Sequence, residues 1–357
     1  MNFTKIFNSF LPKEELLKCD KFGNGHINVT YLVESKKHEY FILQKINSYV
    51  FKDIDLLMNN ICEVTNHLKN KNIESIQMLE AANGKHYVEE DGEFYRMYRF
   101  MDKTLTFEKP EGLDTVKIAA EAFGRFHKNL SDLDATKLGE IIPNFHDTPK
   151  RYNDLMRAVK EDKLSRVKDV SRELEIISKY ADKLSLISNG LASGEVKLHI
   201  THNDPKINNA LFDEETHKFR SIIDLDTVMP GSVLYDFGDA LRSLFTGDKE
   251  DEVNYKTVIG NPRIYEVYLK SYYKETSSFL TEKEKELFPF APFLLTIECG
   301  IRFLEDYLKG DVYFHIKYPE HNLVRARTQL NLASSIIENI DEYKQITCKV
   351  IKENKTV

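Results

Sequence analysis

Residues 196–226 read VKLHITHNDPKINNALFDEETHKFRSIIDLD, and this stretch decides the fold. Three apolar, β-prone runs, VKLHIT, ALF and SIID, alternate with polar loops, whereas the sequence on either side has helical periodicity. His202, Asp204 and Asn209 fall in the first loop, and Asp224 closes the last run. Strand ends of this kind hold short polar side chains in fixed positions.

The residue types have a shared chemistry. Transfer of a phosphoryl group needs a carboxylate that orients and deprotonates the attacking hydroxyl, which suits Asp204. It also needs hard oxygen ligands for the divalent ion accompanying a triphosphate, which suits the Asn209 amide and the Asp224 carboxylate. A second reading takes His199, His202 and Asp204 as zinc ligands, but strand residues three apart point to opposite faces, so it requires a bend there. A third treats HND and NN as Asx turns and Asp224 as a strand end.

Towards the N-terminus, from about Phe22 to Phe100, VTYLVES, YFILQKI, KHYVEE and EFYRMYRF read as strands, with EDGE as the turn between the last two. One helix interrupts them. Residues 53–69 place Leu57, Ile61, Val64 and Leu68 at helical spacing, with Asp53 as cap. After Phe100–Thr104 the pattern turns helical, beginning with TVKIAAEAFGRFHKNL, where Val116, Ala120, Phe123, Phe126 and Leu130 share a face. Further helices are predicted near 169–190, 232–246, 262–274, 290–309 and 320–339. The fold class is therefore α+β: a small antiparallel sheet with one helix in residues 1–101, and a larger, mainly helical part in residues 102–357.

The 357 residues exceed one ordinary hydrophobic core, so two lobes are expected. A net charge of −7 argues against a surface for nucleic acid, which needs a clustered basic excess. Cys19, Cys62, Cys299 and Cys348 are widely spaced, as expected of reduced thiols in a cytoplasmic protein. MNFTKIFNSFLPKEELL has no basic stretch followed by a long apolar run, and no later segment offers about 18 uninterrupted apolar residues, so neither export nor membrane anchoring is expected.

The order HxDxxxxN, then a hairpin, then an apolar strand ending in Asp resembles the aminoglycoside phosphotransferase and choline kinase superfamily. The resemblance implies a bilobal, protein-kinase-like fold using ATP and Mg2+, with a nucleotide-binding lobe over 1–101 and a catalytic, substrate-binding lobe over 102–357. Asp204 is then the base, His202 shapes the loop, and Asn209 and Asp224 bind magnesium. In FGNGHINVTYLVE, Gly23 and Gly25 allow close backbone approach to the nucleotide. Lys45 in YFILQKIN holds its phosphates, with Glu63 a candidate acid partner that reads equally as a solvated helix residue. Arg99 and Met101 flank the expected adenine hinge.

Four blocks narrow the resemblance to N-acetylhexosamine 1-kinases: FGNGHINVTYLV with ILQKIN, THNDPKINNALFD, IIDLDTVMPGSVLYDFGDALR, and IECGIRFLEDYLKGDVYF followed by HNLVRARTQ. The expected reaction is phosphorylation of the anomeric hydroxyl of GlcNAc or GalNAc; a kinase of another small alcohol is the alternative. A neutral polyhydroxylated acceptor needs oriented hydrogen-bonding groups, and His26, Asn28, Asp204 and Arg302 are suitable. Arg302 has a competing reading as an ion pair with Glu298 or Glu305. Tyr313 and Phe314 are expected to wall the sugar pocket unless they are core aromatics. Asp236 is expected to cap the helix beginning DFGDALRSL and to brace the catalytic loop.

Overall fold

The computed structural model describes residues 2–23, 27–247 and 249–354. The protein is α+β, with an N-terminal antiparallel sheet and a larger helical C-terminal region. Its residues form two compact units. One holds the chain up to Leu105, Asp132–Pro143 and Leu211–Met229; the other holds Thr106–Ser131, Asn144–Ala210 and the chain from Pro230 onward. The division is discontinuous in sequence, where a single cut after residue 101 is the simpler expectation. Two later segments return to the first unit because their backbones pair there. Asn60 donates to the carbonyls of Gly139 and Val228 and accepts from Gly139 N. Leu105 pairs with Phe212 in a short antiparallel ladder.

The first unit contains α1 (Phe3–Phe10), β1 (Leu16–Lys21), β2 (Val29–Ser35), β3 (Tyr40–Ile46), α2 (Ile54–Asn70), β4 (Val88–Glu90), β5 (Glu93–Arg99) and β6 (Thr104–Leu105). After β7 (His199–Thr201) of the other unit come β8 (Ala210–Asp213) and β9 (Phe219–Ile222). The main sheet is antiparallel in the order β1-β2-β3-β5-β4. Asp91 and Gly92 join β4 to β5 with φ of 54° and 77°, the positive pair that a two-residue hairpin turn requires. Asp53 caps α2 by accepting from Leu56 N, a contact of about 1 kcal/mol.

Strand alternation gives this sheet two distinct faces. Phe41 and Leu43 of β3, with Tyr95 and Met97 of β5, pack under Ile6, Phe7 and Phe10 of α1. Gln44 of β3 and Arg96 of β5 sit opposite each other, so they belong to the other face. α1 and β1 lie outside the elements predicted above. β1 exposes most of its side chains, and an edge strand of that kind has no apolar alternation to find.

The second unit begins with α3 (Leu113–Leu130), α4 (Thr148–Glu161), α5 (Ser171–Lys179) and α6 (Leu186–Ser193), the last two separated by a 3-10 turn at Ala181–Lys183. After β7 follow β10 (Met229–Gly231), α7 (Val233–Thr246), α8 (Pro262–Thr276), α9 (Glu282–Leu287), α10 (Ala291–Lys309), α11 (His321–Glu338) and α12 (Ile340–Asn354). Phe237 lies edge-on or tilted against Tyr265, Tyr268, Tyr272 and Phe288, with centroids 4.5–6.0 Å apart. Gly238 brings α7 against α10, since a Cβ there would stand 2.4 Å from Ala291 O. No helix among the described residues is long and apolar enough to cross a membrane.

Candidate active site

In the second unit, β7 ends at Thr201 and the chain passes through His202–Lys206 into a 3-10 turn at Ile207–Asn209. The backbone of this loop is held from below by one carboxylate. Asp236, in the first turn of α7, accepts from His202 N through Oδ2 and from Asn203 N through Oδ1, both at 2.7 Å. The second bond accompanies a left-handed Asn203, φ 65°. His127 Nε2 meets the same carboxylate at 2.7 Å, and Tyr272 OH meets His127 Nδ1 at 2.7 Å. With Tyr272 donating to His127 and His127 donating to Asp236, each proton of the chain has a partner. Burial pushes the Asp236 carboxyl up, but the hydrogen bond and charge of His127, with His202, carry it below the ordinary aspartate value. The bracing expected of Asp236 is present. The N-cap of α7, however, is Ser232, which accepts from Leu234 N.

His202 is fully buried, with its ring edge-on to Phe123 and Phe126 at 5.8 and 6.0 Å. Its Nδ1 accepts from Asp204 N at 3.2 Å, so it sets the turn at Asp204 rather than facing a substrate. Asp204 is half-buried. Asn209 donates through Nδ2 to Asp204 O at 2.8 Å and to Asp204 Oδ2 at 3.3 Å, while Lys206 Nζ lies 2.9 Å from Asp204 Oδ1. Asp204 in turn holds the Lys206 ammonium above its ordinary value, against the opposing effect of burial. Sequence reading passed over Lys206, although its place two residues after the base was a signal. The zinc reading is not favoured by this geometry, because His199 is spent on Glu284 at 2.8 Å.

Further along this unit, the Arg302 guanidinium lies between the rings of Phe145 and Phe314, 5.6 and 5.5 Å from their centroids. Glu298 is engaged by His146 at 2.9 Å and by Thr148 at 2.6 Å, and Glu305 pairs with Lys309. Arg302 is therefore stacked between aromatics rather than held by either suggested acid. Asp306 accepts from the backbone amides of Val312, Tyr313 and Phe314 at 2.9–3.0 Å, fixing the loop after α10. Tyr313 is 67% exposed and stands edge-on to Phe314, so it is not a core residue.

In the first unit Gly23 adopts φ 71°, the left-handed backbone for which glycine is suited; Gly25 and His26 lie outside the described residues. Asn28, expected to contact the sugar, is buried instead: its Nδ2 donates to Asp226 Oδ2 and its Oδ1 accepts from Asn47 N at 2.9 Å. Lys45 pairs with Glu93 at 2.7 Å, not with Glu63. The reason is geometric, since Lys45 sits opposite Tyr95 and Glu93 is the diagonal neighbour on the same face. That face is the one packed under α1. A partly exposed pair of this kind is worth at most about 1 kcal/mol. Replacing Lys45 with Met is expected to change KM for ATP by less than about threefold, roughly 0.6 kcal/mol; a tenfold rise would restore Lys45 as the phosphate-holding residue.

The buried cation of the opposite face is Arg96. Its Nε and Nη2 donate to Gln44 Oε1 at 2.9 and 2.7 Å, and Nη2 lies 2.5 Å from Asp226 Oδ1. Asp224, two residues earlier, is exposed and has φ 58°. At the expected hinge, Arg99 N and Phe100 N are committed to Gln77 O and Tyr40 O, and Met101 O accepts from Thr104 Oγ1 at 2.7 Å. The Arg99 side chain lies 3.4 Å from Glu39 and over the Phe41 ring.

The pattern of the phosphotransferase enzyme family (APH) matches residues 18–267. Among solved structures, a microcompartment-associated aminopropanol kinase is similar at 14% identity and TM-score 0.65, covering 95% of this chain and 97% of its own. An amicoumacin kinase in complex with AMP-PNP, Ca2+ and Ami shows 14% identity and TM-score 0.58, covering 89% of each chain. A Plasmodium vivax ethanolamine kinase shows 14% identity and TM-score 0.53, covering 89% of this chain and 82% of its own. At these identities the likeness is one of fold. The family match, in contrast, extends over most of the sequence and takes in both HNDPKINN and the strand ending in Asp224, and the chain belongs to the phosphotransferase enzyme family.

Proposed function

We propose that this phosphotransferase moves the γ-phosphate of ATP to the hydroxyl of a small alcohol, and that the acceptor is the anomeric hydroxyl of an N-acetylhexosamine. The observation that carries the reaction type is the presentation of Asp204, whose loop is clamped by Asp236 while its carboxylate stays half-exposed between Lys206 and Asn209. One carboxylate oxygen takes the hydroxyl proton as the oxygen attacks phosphorus. The Lys206 ammonium beside it offsets negative charge on the transferring group, and no covalent enzyme intermediate is needed.

Magnesium, when bound with the nucleotide, supplies charge neutralisation on the phosphates. The donor set fits such an ion. Among the described residues no three His, Cys, Asp or Glu side chains cluster as a metal cage, whereas an ion carried in by a triphosphate needs only one or two protein oxygens. Asn209 spends its amide nitrogen on Asp204, which leaves its carbonyl as the ligand atom, and Asp224 offers an exposed carboxylate.

The choice of acceptor draws support from Arg302. An amino alcohol is favoured by an aromatic pair that receives its ammonium, and the pair formed by Phe145 and Phe314 is filled by the chain's own guanidinium. A neutral acceptor carrying hydroxyl and acetamido groups is consistent with that arrangement, and so are the sequence blocks around Arg302. The test is an ADP-release screen over N-acetylhexosamines, plain hexoses, ethanolamine, choline and amino acids, with product position read by phosphorus NMR. A sugar 1-phosphate is expected from GlcNAc or GalNAc. Phosphorylation at the 6-hydroxyl, or turnover confined to amino alcohols, overturns the acceptor assignment.

A further inference from the structure

Arg96 is 3% exposed, and its Nη1 has no hydrogen-bond partner. A guanidinium buried with an unpaired nitrogen is a poor device for stability alone, since an apolar side chain at the same place would leave no polar group to desolvate. Its neighbours suggest what it does instead. On one side it grips Gln44, which is tied through Nε2 to Thr30 of β2 at 3.0 Å. On the other it grips Asp226, whose second oxygen accepts from Asn28. Asn28 continues the chain of contacts to the backbone of Asn47, at the end of β3. Asp226 thus stands at the meeting point of three strands' polar groups, and Asp224 is two residues away on a left-handed backbone, within electrostatic reach of the same guanidinium.

We infer that Arg96 is a positioning residue for metal-dependent nucleotide binding, acting through Asp226 on the carboxylate of Asp224. This rests on the magnesium role proposed for Asp224. Without Arg96, two carboxylates two residues apart would face each other uncompensated, and the short 3-10 turn at Leu225–Thr227 between β9 and β10 would lose its anchor on the sheet. Asn60, which holds the Val228 carbonyl at 2.9 Å, fixes the far end of the same turn. The arrangement therefore orients one ligand of an ion rather than supplying a ligand, and groups that orient ligands in this way commonly alter metal affinity by about 10- to 100-fold.

The experiment titrates ATP into the full-length protein by calorimetry, with and without Mg2+, for the native chain, Arg96→Lys and the double variant Arg96→Met with Asp226→Asn. The double variant removes the ion pair without leaving a lone buried charge, and its melting temperature is checked against the native value. It is expected to fold, to bind metal-free ATP as the native chain does, and to lose about tenfold or more of the affinity gained on adding Mg2+. Its KM for the acceptor is expected to be unchanged, and Arg96→Lys is expected to recover part of the Mg2+ effect. Should the double variant fail to fold, Gln44→Met, which removes the other anchor of the guanidinium, is expected to show the same selective loss in weaker form. Native Mg2+-dependent affinity in a folded variant makes Arg96 a purely structural residue and overturns the inference. A native chain whose ATP binding does not respond to Mg2+ overturns the proposed function first, and this inference with it.

Discussion

Asp204→Asn is expected to lower kcat by about 10²- to 10⁴-fold, the usual worth of a positioned general base, or roughly 3–5 kcal/mol of barrier. The substitution is close to isosteric. Asp204 is half-buried, and an amide oxygen can still face Lys206, so the loop and the melting temperature are expected to stay near native. What the amide cannot do is accept the proton of the attacking hydroxyl. KM for ATP should move little, because the nucleotide contacts proposed above lie on other residues. Steady-state kinetics with the acceptor identified by the screen, combined with calorimetric ATP binding, separates these outcomes. Wild-type turnover in Asp204→Asn removes the residue from catalysis; lost turnover accompanied by lost ATP binding points to a disturbed loop instead.

How much of this was legible in the sequence depends on how local the cause is. Asp53 as a helix cap, the Asp91–Gly92 turn and the loop from His202 to Asn209 are each specified within a few residues, and each is found where the pattern puts it. The face of Lys45 was not legible in this way. In LQKI two polar residues are adjacent, and alternation alone does not say which of Gln44 and Lys45 points under α1. The neighbouring strand decides it, through Tyr95 opposite Lys45 and Arg96 opposite Gln44. Arg96 was missed for a related reason. Between Tyr95 and Met97 an arginine reads as the solvent side of a half-buried strand, and its burial depends on Asp226, far along the chain. The same distance hides the discontinuous first unit, because Asn60 and Gly139 are joined by side-chain hydrogen bonds that no local pattern announces.

Asp236→Asn is expected to be the most destabilising of the substitutions considered, because it breaks a fully satisfied buried network instead of trimming an exposed group. The native carboxylate accepts from two backbone amides and from His127, and His127 is held in turn by Tyr272. An asparagine presents one acceptor oxygen and turns an NH2 towards groups that are themselves donors. Breaking a buried charged pair typically costs about 3–5 kcal/mol, which chemical denaturation at neutral pH would read directly. Turnover should fall as well, since the two lost backbone contacts are those that set the loop ahead of Asp204. The pH dependence has a defined sign. The Asp236 carboxyl lies below the ordinary value of 3.8 in the folded protein, so its contribution is present above the unfolded pKa and disappears as pH falls through the lower folded one. The stability gap between native and Asp236→Asn is therefore expected to be constant from about pH 7 to 5 and to shrink below about pH 4, the range in which unfolded carboxyls take up protons. Glu284, Glu298 and Asp239 are also held below their ordinary values by histidine or arginine partners despite burial, so both proteins should lose stability in acid while their difference narrows. A gap that stays constant down to pH 3 would mean that the network does not depend on an ionised Asp236, and the bracing of the catalytic loop would then have to come from its neutral hydrogen bonds alone.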